Sequence, residues 1–574
     1  MKRLSEKLGT DSWLYKGAFC PYKILLPKDA SALVLRAAEE LQTLFSAATG
    51  IRLQAVTDDN PIASPVLSLG KTVKAKMAGV SFSDNSGFIV TVKGSDVFML
   101  GGNDEGTLFA VYGFMEELFG YKYYAPDEIA LEHCCQKEFL KFELIGKPDI
   151  AVRALGEKAV AELNEENYRC RLGSTLYSDF TISCHTFFRI LPKEKYFAEH
   201  PDWYNKKGDN LCLSNTEMRE EFIAQVKRFI DEDPYKKYFM IGQEDTQDFC
   251  DCEKCKAETV ESGLPPSVLL MRFVNAVAEE ASDYLDEKYP GSPMKFITFA
   301  YNATAVPPAR LNSLLLKYEP VDETVKAHPR VGVMIVPYNC NYSYALGKSG
   351  DTDNENVINH FRGWKAVCDT LLVWDYSVNF TDYLTDINNW EAIDANYGVY
   401  KQFGVEFVYT QGIHDAERCS FSKLRLYCQS RLLWDTDLPI GDLIEEFCCA
   451  YYKSAAPYIL CYLRMLSARW RLNEKIYNVH AHSWGNWSKK EFWPLTFLDE
   501  CKNLFDEAKK ICSDEPAIRK RVEREELMLR YLRIKLYPET LKNGGEEKKM
   551  LLNDFDEFGI TFCAEGIPVQ SALK

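Results

Sequence analysis

"YFMIGQED", residues 238–245, runs an apolar stretch through a glycine into two adjacent carboxylates, and the same build recurs along the chain. "DIAVRAL" (149–155), "KFITFAYN" (295–302), "VGVMIVPYN" (331–339), "TLLVWDY" (370–376) and "VEFVYTQG" (405–412) are short, rich in β-branched and aromatic residues, and most of them end in polar or aromatic side chains. Such runs read as strands. Helical patterns lie between them, among them "PSVLLMRFVNAVAEEASDYLDEKY" (266–289) and "NVINHFRGWKAVC" (356–368). The alternation predicts an α/β fold whose centre, residues 144–435, is a (β/α)8 TIM-like barrel, with its active site at the carboxyl ends of the strands.

Working outward, residues 1–143 also mix strand and helix patterns. "CPYKILLP" (20–27) and "GFIVTVKGSDVFMLGG" (87–102) are strand-like, whereas "ASALVLRAAEELQTLFSAATG" (30–50) and "GTLFAVYGFMEELFG" (106–120) have helical spacing. This predicts an N-terminal α/β domain. Residues 436–574 change to long amphipathic patterns and predict a C-terminal helical domain. A chain of 574 residues exceeds what one core supports, so several domains are expected.

The formal charge of −16, with no dense Lys/Arg run, argues against nucleic acid or an anionic membrane as partner. No stretch of about twenty apolar residues suggests a membrane span. Met1–Gly17 lacks the apolar centre of an export signal, and the 19 cysteines, an odd number scattered mostly singly, fit a reducing compartment; the expected location is cytoplasmic. Aromatic residues make up 13% of the chain, a supply of flat surfaces that suits a carbohydrate substrate as well as large cores. Self-association into a homo-oligomer is left open.

Two resemblances add to this reading. "GGNDEGTLFAVYGFMEELFGYKYYAPDE" (101–128) resembles the closing segment of the non-catalytic N-terminal domain of β-hexosaminidases and α-glucuronidases. Further on, "CHTFFRILPKEKYFAEHPDWYN" (184–205), "LCLSNTEMRE" (211–220), "GQEDTQDFCDCEKCKAE" (242–258), "LLVWDYSVNFTDYL" (371–384) and "RLLWDTDLPIGDLIEEFCCAYYKSAAPYI" (431–459) together resemble a bacterial family defined by a domain of unknown function, numbered 4838. Some of its members belong to glycoside hydrolase family 163, endo-β-N-acetylglucosaminidases. The resemblance implies a hydrolase of β-linked N-acetylglucosaminyl or related bonds. In a substrate-assisted retaining route the 2-acetamido group of the sugar is the nucleophile, and the protein supplies one acid and one group that orients the acetamide.

Glu244 and Asp245 are the expected pair, Glu244 as polariser and Asp245 as general acid, provided that a bend after Gly242 brings both to one opening, because a straight strand would point them apart. The alternative is a helix cap. Expected substrate-binding residues are His185, Tyr301, Asn302, Tyr338, Asn339, Trp374, Asp375, Tyr376 and Gln411. Thr410 stands where the resemblance implies a glutamate, which raises the alternative of a catalytically lost carbohydrate-binding protein. A further alternative is an α-glucuronidase-like inverting hydrolase that pairs Asp245 with Asp375. Cys250, Cys252 and Cys255 could take three corners of a zinc site, with Cys212 as a fourth, but the expected reading is buried free thiols, with no metal and no cofactor.

Overall fold

The computed structural model describes residues 2–3, 8–59, 65–347 and 350–573, so residues 1 and 4–7 of the amino-terminal stretch assessed above lie outside it. The N-terminal part is a seven-stranded mixed sheet in the order Lys2–Arg3, Glu143–Gly146, Phe88–Lys93, Asp96–Gly101, Val66–Leu69, Lys23–Leu26, Ala55–Thr57. Helices Ala32–Thr49 and Asp104–Phe119 pack with it. The first is capped by Ser31, whose side chain accepts from the Val34 amide, and ends on left-handed Gly50. The "GGNDEG" turn needs its glycines: a Cβ on Gly101 would lie 2.3 Å from the Gly106 backbone, and one on Gly106 2.4 Å from the Gly87 carbonyl oxygen. Strand and helix can meet this closely only without side chains. Glu143–Gly146, which begins at residue 143, pairs with Phe88–Lys93, so the N-terminal sheet runs on to Gly146.

Six parallel strands form the central sheet: β1 (Val152–Leu155), β2 (Tyr238–Met240), β3 (Lys295–Ala300), β4 (Val331–Ile335), β5 (Thr370–Tyr376) and β6 (Val405–Gln411). Their spatial order is β1-β6-β5-β4-β3-β2. All six coincide with the apolar runs quoted above, and nearly every side chain in them is buried. The sheet curls: Glu406 on β6 accepts from Tyr238 on β2 (2.9 Å) and pairs with Lys295 on β3 (2.8 Å). Among the described residues six strands are ladder-paired, a curled parallel half-barrel rather than the full eight-stranded barrel expected above. Where a further strand would stand, residues 170–184 meet the two edge strands without a regular ladder, through parallel bridges of Arg153 with Gly173 and Phe180 with Tyr238 and through the Met240 amide, which donates to the Ile182 carbonyl. Arg171, Gly173 and Cys184 in this segment have φ of 54°, 70° and 69°, a left-handed geometry that interrupts a regular ladder.

After the helix Ser422–Trp434 come Ile440–Tyr452, Ala456–Tyr477, Leu495–Ile511, Pro516–Glu525, Leu527–Leu536 and Gly544–Glu557, and then a small hairpin, Phe562–Ala564 with Ile567–Pro568. Their buried side chains, such as Phe447, Tyr462 and Phe505, belong to the same continuous core as the central strands, whereas the N-terminal sheet has its own core, capped by Trp434. Among the described residues, no helix is long and apolar enough to cross a membrane.

Candidate active site

A cleft of about 460 Å³ opens at the carboxyl ends of the central strands. Strand alternation decides which side chains reach it. On β5, Trp374 and Tyr376 face the cleft, while Asp375 between them faces the helix Ile393–Gln402 and accepts from the Tyr400 hydroxyl at 3.0 Å. Asp375 also takes the Tyr376 amide at 2.8 Å, and burial pushes its pKa up to about 6. It does not line the cleft. The expectation that Asp375 holds a sugar, or pairs with Asp245 in an inverting mechanism, is therefore corrected. Its strand partner Thr410 follows the same logic and meets the Tyr397 hydroxyl at 2.9 Å. Position 410 looks at the helix layer, so the residue there says nothing about the cleft's chemistry.

The loop after β2 separates the two adjacent acids. Gly242 is held from both sides: its amide donates to Thr186 Oγ1 (3.0 Å), and its carbonyl accepts from the Thr186 and Phe187 amides. A Cβ on Gly242 would lie 2.6 Å from the Cys184 carbonyl oxygen and 3.0 Å from the Phe299 ring. Gln243 is buried and donates to the Tyr301 carbonyl (3.1 Å) and Thr304 Oγ1 (2.7 Å), which ties this loop to the end of β3. Glu244 turns toward the 184–190 segment, where Oε1 accepts from the Phe188 amide at 2.8 Å. Burial raises its pKa, an effect strengthened by the Asp245 charge and opposed by the Phe188 amide and His185. Asp245 lines the cleft, and its Oδ1 accepts from the Tyr301 hydroxyl (2.9 Å) and Asn302 Nδ2 (3.3 Å). The bend after Gly242 exists, but it delivers one carboxylate to the opening rather than two.

His185 lines the cleft with Nδ1 2.6 Å from the Gln243 carbonyl. That ring nitrogen is the donor, which leaves Nε2 for a ligand. Gln411 at the end of β6 accepts from Trp374 Nε1 at 2.9 Å. Tyr338 stands at the rim, its ring 5.0 Å from that of Tyr301 and its hydroxyl 3.3 Å from Gln247 Nε2. Asn302, in left-handed conformation at φ 53°, connects Gln247 to Asp245. Asn339 is exposed and is not among the cleft-lining residues.

Several lining residues lie outside the sequence-based set. Phe299 on β3 and Phe380 and Thr381 after β5 carry no signal that separates them from packing residues. Trp484, within the "HAHSWGNW" stretch (480–487), comes from the loop after helix Ala456–Tyr477 and stacks on Phe380 at 5.0 Å and 26°. His482 Nδ1 accepts the Trp484 amide at 3.2 Å and so helps to set this loop. Glu565, on the turn of the C-terminal hairpin, brings a second carboxylate to the opening. Of the expected residues, then, His185, Asp245, Tyr301, Trp374, Tyr376 and Gln411 share the cleft, Asn302 and Tyr338 adjoin it, and Glu244, Asp375 and Asn339 are turned elsewhere.

The four cysteines raised above also converge. Cys212, Cys250, Cys252 and Cys255 place their sulfurs within 4.8 Å of one another, beside the loop that carries Asp245.

No curated protein matches the chain in sequence. Solved structures align along almost its whole length at low identity. CpGH84D gives a TM-score of 0.47 and 11% identity over 96% of this chain and 92% of that one. CpGH84B gives 0.46 and 9% over 96% and 95%. A structure described as a GH138 enzyme targeting pectin rhamnogalacturonan II gives 0.40 and 10% over 95% and 94%. The model of a family described as a domain of unknown function, DUF4838, matches residues 141–464, more than half of the 574-residue chain. The chain belongs to the DUF4838 family.

Proposed function

We propose that the protein is a glycoside hydrolase cleaving a β-linked N-acetylglucosaminyl or related hexosaminyl bond by a substrate-assisted retaining route, with Asp245 as the general acid. The observation that carries this reading is the placement of Asp245 in a cleft walled by Phe299, Tyr301, Trp374, Tyr376 and Trp484. Flat apolar rings around a few convergent polar groups suit a pyranose, whose ring faces are apolar and whose edge is hydroxylated.

In the first step the acetamide oxygen bonds to the anomeric carbon as the glycosidic C–O bond breaks. The electron pair goes to the leaving oxygen, which takes the proton from Asp245. Water then adds to the anomeric carbon, returns a proton to Asp245 and restores the acetamide. Tyr301 and Asn302 fix Oδ1, so Oδ2 is the oxygen for transfer. Tyr376 and the Gln411 amide are the groups offered to the acetamide, and His185 Nε2 to a hydroxyl. Glu244, committed to the Phe188 amide, supports the loop instead of touching sugar.

The inverting alternative now has a different second carboxylate, Glu565, which faces the same cleft as Asp245. A uronate would meet two carboxylates there and, among the described lining residues, no lysine or arginine, so a neutral sugar is the better fit. Asp245→Asn should lower kcat on an aryl β-N-acetylglucosaminide by about 10²- to 10⁴-fold, the usual worth of a general acid. The product should keep its anomeric configuration by NMR. Equal turnover by Asp245→Asn removes the assignment; inversion transfers the base role to Glu565; binding across a glycan panel without any turnover makes the protein a lectin-like relic.

A further inference from the structure

The sulfurs of Cys212, Cys250, Cys252 and Cys255 meet from two stretches about forty residues apart. Cys212 lies just before the helix Thr216–Glu232, and Cys250 and Cys252 follow the Asp245 loop. Cys252 caps the short helix Glu253–Glu258, and Cys255 sits in its first turn. Cys212 Sγ is 3.8 Å from Cys252 Sγ and 3.8 Å from Cys255 Sγ. A disulfide would bring two sulfurs to about 2.05 Å. A tetrahedral zinc with bonds of about 2.3 Å has sulfur–sulfur edges of about 3.8 Å.

Two thiols at that distance are ordinary packing, but four in mutual reach are not, because apolar side chains fill such a space better. The surroundings are also those of thiolates. The Cys255 amide points at Cys252 Sγ (3.5 Å), and the Ser214 hydroxyl lies 3.2 Å from Cys255 Sγ, 3.5 Å from Cys212 Sγ and 3.7 Å from Cys252 Sγ. Such N–H and O–H groups orient and tune metal-bound sulfur. We propose that these four cysteines bind one structural zinc ion, which staples the Asp245 loop to the start of helix Thr216–Glu232.

All four corners are protein sulfur, so the ion has no open position for substrate and takes no part in chemistry. Binding displaces the thiol protons to solvent, and the four thiolates with Zn²⁺ carry a net charge of −2. The zinc would anchor the loop whatever reaction the cleft performs.

The full chain, purified under reducing conditions without chelator, should contain one zinc per chain by elemental analysis. Cobalt substituted for the zinc should give the intense absorption of tetrahedral cobalt–thiolate. Cys212→Ser and Cys252→Ser should each lose the metal, while Cys449→Ser, at an exposed site elsewhere, should keep it. Removing zinc from the wild type should raise amide exchange across residues 243–258. Reduced wild-type chain that contains no zinc and takes up neither Zn²⁺ nor Co²⁺ when offered them overturns the proposal, as does iron found in the site.

Discussion

Asp375 holds its carboxylate between its own strand and Tyr400, and the cost of that position varies with pH. Burial raises its pKa to about 6. Between about pH 4 and 6 the folded chain keeps a proton that an unfolded aspartate has already released. The folded state therefore loses stability as pH climbs through this window, by about 3 kcal/mol once the group is fully ionised. Asn in its place keeps an acceptor for Tyr400 without the charge. The difference in stability between Asp375→Asn and the parent should move in favour of the variant by about 2 kcal/mol from pH 4 to pH 7. Urea unfolding at several pH values measures it, and a flat difference would contradict the burial account. The same residue shows why single positions are hard to assign from sequence. Trp374, Asp375 and Tyr376 looked like one functional cluster, yet period-two alternation sends the middle one the other way. Glu244 and Asp245 part similarly, and only the hydrogen bonds that grip Gly242 and Gln243 reveal which of them reaches the opening.

Among elements, the six central strands were legible because strands covered on both faces are written as unbroken apolar runs. The segment 170–184 departs from a regular strand, because Arg171, Gly173 and Cys184 are left-handed and interrupt the ladder. The link between β2 and its loop depends on close backbone contact at Gly242. Gly242→Ala should cost about 1–3 kcal/mol through overpacking against Cys184 and Phe299. It should also weaken activity by shifting Asp245, which thermal melting and kinetics together would register; an unchanged melt would deny the contact. The Trp484 loop works at the same scale. Its ring closes one wall by stacking on Phe380, and Trp484→Ala should raise KM about 3- to 10-fold with a smaller change in kcat, the range expected for one lost aromatic face. A fall confined to kcat would mean that the loop serves the chemical step instead.

Across the molecule, the C-terminal helices are part of the central sheet's own core, which their amphipathic sequence pattern could not disclose. Asp382, just beyond Phe380 and Thr381, accepts from Ser488 (2.5 Å), Tyr531 (2.8 Å) and Lys535 (3.2 Å), joining a loop of the central sheet to two distant parts of the helical region. Asp382→Ala strands these donors and should destabilise the chain by about 3–5 kcal/mol. It should also loosen the cleft wall, so activity should fall below what the folded fraction explains; calorimetry beside an activity assay separates the two. Glu565 was invisible as a partner of Asp245 for the same reason, because residues 245 and 565 meet only after every element between them is in place.

The position of Glu565 also sets an order of events at the ribosome. Strands β2 to β6 and the aromatic floor can assemble as they emerge, while β1 waits for β6, and the opening has no complete rim until translation has passed residue 565 and the closing hairpin has docked. Nascent chains stalled earlier would present a half-built, aromatic-lined trough to chaperones, and a bulky fusion placed directly after that hairpin would obstruct the entrance itself.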